Sequence, residues 1–560
     1  MNSSMSAVPR PMPATPTTDH AHKHQGAFSA AIRVVSGLTL LSRFAGLARD
    51  IITARIFGDT ALGSAFRAAY AVPNLFRRLF GEGALSAAFL PEYTLLRRDQ
   101  PDAADQLASL VVRLLTLATG SLTLVIELAL GLFLLLGHPA SDLALSLKLM
   151  MLMLPMMPMV CMTAIMGGML QAHGKFAAPA AAPILLNLFQ IGAGLLFFFG
   201  VLKDNVLGAY LVGGAAVVAS IAQIIWSLAA LKGLIRWTRV FDAARASASS
   251  VRERFLPALV GLGTLQLNTF LDMVIAMWPN WFGPTMLGHP TPLDARSNAI
   301  LSYTQTIYQF PLGVFGIAVA TAIFPLLART ADKPDEFAST LRRGLRLSLY
   351  IALPASLGLV VARNDLVCVV FSGRRGGFSA EGLARAGDVL AAFSAAVWAY
   401  SLNHTLTRAF YAKGDTRTPM RVAMGMVALN FTLNLTLIWF FKEAGLAWAT
   451  ATTATVQTLL LLVLLRRKHA VGSLDAPTAR ALVRIVLAVL LMGACTVGVD
   501  RWMPEATLWR YHFLRLLALV ATGAGSYALA SLALRMPEIS WLLHPAPRGA
   551  DGKVVGLSLE

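Results

Sequence analysis

Cysteine and charge are both scarce in this chain, and each scarcity removes a class of protein. Three cysteines, Cys161, Cys368 and Cys495, lie in separate apolar runs without CxxC spacing, so neither a disulfide framework nor a zinc site is expected. Charged residues form 14% of the 560 and hydrophobic residues 56%, with a mean hydropathy of +0.64. That leaves too little polar surface to clothe a soluble fold. No phosphate loop of the GxxxxGK[ST] type is present, so any energy input is expected from membrane potential or an ion gradient. The apolar runs hold no cluster of His, Asp and Ser such as an enzyme acting on lipid phosphates would use. Residues 1–28 are rich in Pro, Ser, Thr and His and lack the apolar core of a signal peptide, so they read as a disordered cytoplasmic tail.

What is abundant is the apolar run of about 20 residues, the length that crosses a hydrocarbon core as a helix. Breaks such as "GHPASD", "KDN", "HPTPLD" and "KEAG" divide the chain into about 14 transmembrane helices, an all-α integral membrane protein. The net charge of +18 falls in alternate loops, among them Arg97 and Arg98, the run from Lys232 to Arg254, and Arg466 to Lys468. This is the positive-inside pattern rather than a nucleic-acid patch, and with an even helix number it puts both termini in the cytoplasm. The loop holding Arg374 and Arg375 departs from it.

An internal repeat is visible. "LQAHGKFAAP" and "FYAKGDTRTP" align Ala172, Gly174 and Pro179 with Ala412, Gly414 and Pro419, 240 positions apart. "GALSAAFLP" and "IAVATAIFP" align Ala84, Ala88 and Pro91 with Ala318, Ala322 and Pro325, 234 positions apart. Two homologous six-helix lobes are expected, residues 29–240 and 250–468, followed by an extra helix pair at 478–536 and a cytoplasmic tail at 537–560. Repeated halves around a central site are the usual construction of a secondary transporter.

The first two apolar segments carry charge they should not tolerate. "LSRFAGLARDIITARIFGDT" holds Arg43, Arg49, Asp50 and Arg55, and "FRAAYAVPNLFRRLFGEGALSAAFLPEY" holds Arg67, Arg77, Arg78 and Glu82. A charge at the bilayer centre costs about 2.5–3.5 kcal/mol on the lenient scale, so each needs a cavity or a partner. Arg49 and Arg77 lie nearest mid-run and read as ligands for a phosphate or pyrophosphate, which the guanidinium fork binds in pairs of hydrogen bonds. Pairing of Arg49 with Asp50 or Glu82 as a structural lock is the competing reading. Arg55, Arg67 and Arg78 fit a lock or a headgroup contact better. In the second lobe, Asp272, Asn430, Asn434 and Thr450 offer oxygens suited to Na+ or another monovalent cation, against the alternative of interhelical hydrogen bonding. No other cofactor is expected.

"SRFAGLARDIITARIFG", "PNLFRRLFGEGALSAAFLP" and "FYAKGDTRTP" closely resemble the MurJ (MviN) lipid II flippase family of the multidrug/oligosaccharidyl-lipid/polysaccharide exporter superfamily. The resemblance implies a V of two lobes, a groove for the polyprenyl tail on the extra helix pair, and alternating access in the bacterial inner membrane. It implies lipid II or a related polyprenyl-pyrophosphate glycolipid as substrate, with membrane lipids and the cell-wall synthesis machinery as partners. By motif position, Arg43, Arg49 and Arg77 match the family's cavity arginines, and Asn74 and Glu82 its substrate motif. Ser64 stands where the family often has Asp, and Gln305, Thr306 and Gln309 stand where it often has Asp, Arg and Glu. Export of another polyprenyl-linked glycan, and a non-transporting scaffold of the same fold, are the alternatives.

Overall fold

The computed structural model describes residues 18–81, 84–373, 376–472, 475–505 and 508–543. The first lobe comprises α1 (Thr18–Phe57), α2 (Ala61–Phe76), α3 (Ala84–Asp99), α4 (Pro101–Leu136), α5 (Ser141–Met153), α6 (Met156–Ala172), α7 (Ala177–Phe198) and α8 (Asn205–Leu231). The second comprises α9 (Arg245–Ala276), α10 (Trp278–Trp281), α11 (Ser297–Pro311), α12 (Ile317–Arg329), α13 (Pro334–Val361), α14 (Arg363–Phe371), α15 (Ala380–Ser394), α16 (Val397–Ala412), α17 (Arg417–Phe441) and α18 (Glu443–His469). After them come α19 (Ala476–Trp502), α20 (Trp509–Ala533) and α21 (Pro537–Leu543). The only sheet among the described residues pairs Thr285–Met286 with His289–Pro290 after α10.

Ten of these stretches are long and apolar enough to cross a membrane, counting α5 with α6 and α11 with α12 as single passages. Four more passages, α1, α2 with α3, α9, and α15 with α16, complete fourteen. They fall outside the ten because they carry the polar residues of the molecular centre or break midway.

Local features recur at matching places in the two halves. The second passage of each lobe contains one π-helical turn, Arg77–Gly81 and Leu312–Gly316. The turns after α6 and α16 also match, with Gly174 and Gly414 at φ of 72° and 74°. Backbone N–H groups of Lys175 and Asp415 close back on Leu170 and Phe410 at 2.8 and 3.0 Å. That left-handed turn admits glycine most readily, which explains the paired glycines. Between helices in lipid there is no hydrophobic drive, so close approach of small residues supplies the packing. Gly194 on α7 lies so near α1 that a Cβ would stand 2.6 Å from the Ile52 side chain.

At the end carrying the Gly58–Thr60 turn, the lobes close on each other. The Asp59 carboxylate accepts from the Ser379 N–H at 2.7 Å and its hydroxyl at 2.6 Å, while the Ser379 oxygen caps α15 through the Gly382 N–H. Arg55 donates to the Val369 and Val370 carbonyls. Nearby, Arg385 binds Glu443 and Asp294, each at 2.6 Å. Burial alone would raise the Asp294 carboxyl, but these bonds and the Arg385 charge hold it below the ordinary range. At the opposite end, where the basic loops lie, the lobes touch through α9 packed along α3.

Both tails differ from expectation. Helix α1 begins at Thr18, ten residues before the expected end of the tail, because no proline interrupts the chain between Pro16 and Pro73. Residues 537–543 form α21 rather than tail, held by a buried pair in which Arg346 meets Glu538 at 2.6 Å. Trp541 stacks beneath Arg343 and Arg346. Residues 1–17 and 544–560 lie outside the described residues.

Removing one partner of such a pair strands the other, at about 3–5 kcal/mol. Glu538→Ala should therefore lower the thermal unfolding temperature of the purified protein, followed by tryptophan fluorescence, whereas Glu505→Ala, an unpaired surface acid, should not.

Candidate functional site

A cavity of about 240 Å³ lies between the lobes, walled by α1, α2, α9 and α11. Its charged residues are Arg49, Asp50, Arg67, Arg78 and Asp272, three guanidiniums against two carboxylates. Asp50 is the pivot. It meets Arg49 of its own helix at 2.9 Å and Arg67 of α2 at 3.1 Å. Arg49 also donates to the Tyr70 hydroxyl at 2.7 Å and the Asn187 carbonyl at 3.0 Å. Arg67 donates across the lobe boundary to the Ser302 carbonyl at 3.1 Å and lies over the Tyr303 ring. Arg78 reaches Gln266 of α9 at 3.3 Å.

Of the substrate-site residues the sequence singled out, Arg49 and Asn74 line this cavity, and so does Asp272 of the expected cation site. The competing lock reading for Arg49 is also realised in this conformation, through Asp50. Arg77 does not line the cavity; it donates to the Asn74 side-chain oxygen at 2.8 Å and lies within electrostatic reach of Cys161 on α6. Adjacent residues cannot face the same way on a helix, and where the π-helical turn begins it is Arg78 that turns inward. Arg43 extends to α11's far end: a Cβ on Gly313 would stand 1.9 Å from its Nη1. Glu82 lies outside the described residues.

Arg67 and Arg78 are the residues sequence reasoning undervalued. The signal was present, because Arg67, Tyr70, Asn74 and Arg78 recur at i, i+3, i+7 and i+11 along one face of α2. Gln305, Thr306 and Gln309 do line the cavity from α11, as uncharged groups. Ser64 does not. Its hydroxyl accepts from the Ala299 N–H at 3.0 Å and its carbonyl from Asn298 at 2.8 Å, so it closes the first turn of α11.

The second-lobe polar residues converge. The Asn434 amide donates to Asp272 at 2.6 Å and to Asn430 at 3.0 Å. Thr450 faces the other Asp272 oxygen at 3.4 Å, and Asn430 faces Thr450 at 3.4 Å. The Asn434 carbonyl oxygen is buried without a hydrogen-bond partner. An amide turned over would aim that oxygen beside the carboxylate, and such orientations are assigned from the network rather than seen. One carboxylate with neutral oxygens fits a monovalent cation. Among the described residues no three His, Cys, Asp or Glu side chains converge as a multivalent metal site would require.

Two repeated helical lobes packed around a polar centre define a membrane transporter rather than an enzyme. The solved structures agree on the fold. An inward closed conformation of lipid II flippase MurJ aligns with a TM-score of 0.74 at 21% identity, covering 90% of this chain and 98% of that one. An inward-facing MATE family multidrug resistance transporter aligns at 0.64 and 12% identity, covering 78% and 98%. The family model for lipid II flippase MurJ matches residues 53–519. A probable lipid II flippase MurJ of Rhizobium meliloti is 30% identical over 542 residues, 93% of this chain and 96% of the relative. The lipid II flippase MurJ of Burkholderia cenocepacia is 28% identical over 491 residues, 84% and 90% of the two. The chain belongs to the lipid II flippase MurJ family.

Gly313 supplies the space for the Arg43 guanidinium, and the far end of a flexible side chain can retreat without unfolding the helix. Gly313→Ala should therefore leave abundance unchanged yet reproduce the growth defect of Arg43→Ala in a host depleted of its own lipid II flippase. The double variant should be no worse than either single one.

Proposed function

We propose that this chain carries lipid II across the bacterial inner membrane by alternating access. The observation that carries the reading is the excess of guanidinium over carboxylate in the central cavity, in a chain of this family. With the basic loops in the cytoplasm, the end bearing Asp59 and Ser379 faces outward, and the cavity is reached from the cytoplasmic side once α9 parts from α3. The lipid-linked pyrophosphate enters between Arg49, Arg67 and Arg78, competing with Asp50 and the Gln266 amide for their N–H groups. Fork-shaped donors suit two neighbouring phosphates. Polar contacts from Asn74, Gln305, Thr306 and Gln309 then orient the headgroup. Rocking of the lobes about the cavity requires the Asp59–Ser379 and Arg55–Val369 contacts to part.

Asp272, Asn430, Asn434 and Thr450 would hold Na+, or another monovalent cation, beside the same cavity. The cation would supply a charge that both conformations do not bind equally, which is what coupling requires. The uncharged α11 face, with Gln305, Thr306 and Gln309 in place of frequent family charges, favours a second reading in which the headgroup is a different polyprenyl-linked glycan.

Expression in a bacterium depleted of its own lipid II flippase tests the substrate. The parent should restore growth, and Arg49→Ala, Arg67→Ala and Arg78→Ala should each fail at equal membrane abundance. Rescue by all three variants would remove the cavity assignment. Absence of rescue by a well-expressed parent, with no binding of purified lipid II, would favour the second glycan.

Sodium chloride should raise the unfolding temperature of the parent above that in choline chloride, and Asp272→Asn should abolish the difference. An unchanged difference in the variant would refute the cation site.

A further inference from the structure

Helix α16 carries a second set of polar groups that the central cavity does not use. Tyr400, His404 and Arg408 recur at i, i+4 and i+8, which aligns them on one face. The Tyr400 end of that face meets α11, a helix that walls the cavity: the Tyr400 ring lies 5.5 Å from that of Tyr308, and its hydroxyl is buried without a partner. The other end meets α12, where the Arg408 guanidinium lies over the Phe324 ring at 5.4 Å. The two ends of the stripe thus meet α11 and α12.

Among the arginines of the helical body, Arg49 and Arg67 share Asp50, Arg346 pairs with Glu538 and Arg385 with Glu443. Arg408 has no carboxylate within salt-bridge distance among the described residues, and its one described contact is the Phe324 ring. His404 beside it is exposed. A charge at this depth persists where water or an anion reaches it. Eight residues of helix place Arg408 about 12 Å from Tyr400, toward the basic loop that begins at Lys413.

We propose that His404 and Arg408 are a docking pair for a carboxylate on the peptide of the lipid-linked headgroup, a specificity site separate from the pyrophosphate cluster. This rests on the lipid II reading above. The guanidinium supplies charge and a fork of donors, and the imidazole supplies a further N–H one turn away. The pyrophosphate is already matched by Arg49, Arg67 and Arg78, and the sugars of a peptidoglycan precursor are neutral at their hydroxyls. The anionic groups left to recognise are carboxylates. Their separation from the pyrophosphate along an extended glycopeptide suits a pair displaced toward the entrance.

The test uses the full chain in nanodiscs of neutral phosphatidylcholine and three probes: lipid II, the same lipid-linked disaccharide without its peptide, and undecaprenyl pyrophosphate. The double variant H404A/R408A should bind lipid II about tenfold more weakly and the two peptide-free probes as the parent does. Arg408→Lys should retain most of the affinity, and Arg49→Ala should weaken all three. Unchanged lipid II binding, or equal weakening for every probe, would overturn the proposal. If the double variant unfolds, R408Q alone is held to the same pattern of three affinities. A parent that binds none of the probes would remove the substrate reading, and this inference with it.

Discussion

Asp50 is the residue on which the centre of the molecule depends. Two guanidiniums from successive helices converge on one carboxylate in a place where water is scarce, and neither would be tolerated there alone. Because Arg49 comes from α1 and Arg67 from α2, the shared acid fixes the relative rotation of both helices. It also leaves the trio one positive charge in excess. The same arrangement therefore satisfies the fold and keeps an appetite for anions, which a fully neutral network would lack.

The two lobes, alike in chain path, differ in chemistry. The cavity's arginines come from the first lobe, and the second lobe contributes Asp272 and a set of amide and hydroxyl oxygens. The lobes share matched π-helical turns, while the cavity's guanidiniums and the Asp272 oxygen cluster fall on opposite sides of the boundary. Asp272 stands at the meeting point, on the cavity wall and within the oxygen cluster. An ion there would be felt by the arginines through a medium that screens poorly.

Much of this was legible in the sequence, because the signals were periodic or costly. Runs of apolar residues showed the fourteen passages, and a lone acid with amides four apart showed the Asp272 cluster. Arg43 and Arg49, six positions apart, were readable as facing differently, and they do: one meets Gly313 and the other Asp50. The choice between Arg77 and Arg78 was legible only in the spacing of Arg78 from Arg67, Tyr70 and Asn74, a face that depth along the apolar run does not report. The position of Ser64 was not legible, because its role as the closure of α11 depends on contact with a helix more than two hundred residues away. Periodicity reports one helix at a time, and interlobe contacts have no period.

The Asp59 contact with Ser379 has a consequence for how evenly the two states are balanced. A hydrogen bond to a charged group is worth about 1.5–3 kcal/mol net, because water takes the place of the serine once the lobes part. A latch of a few such bonds leaves the alternative state rare but reachable, and inverting a 99 to 1 preference needs about 5.5 kcal/mol of differential binding. A ligand and a cation acting together can supply that. The seal at Asp59 is thus a threshold set low enough to be crossed, and a tighter one, built for stability, would hold the protein in a single state.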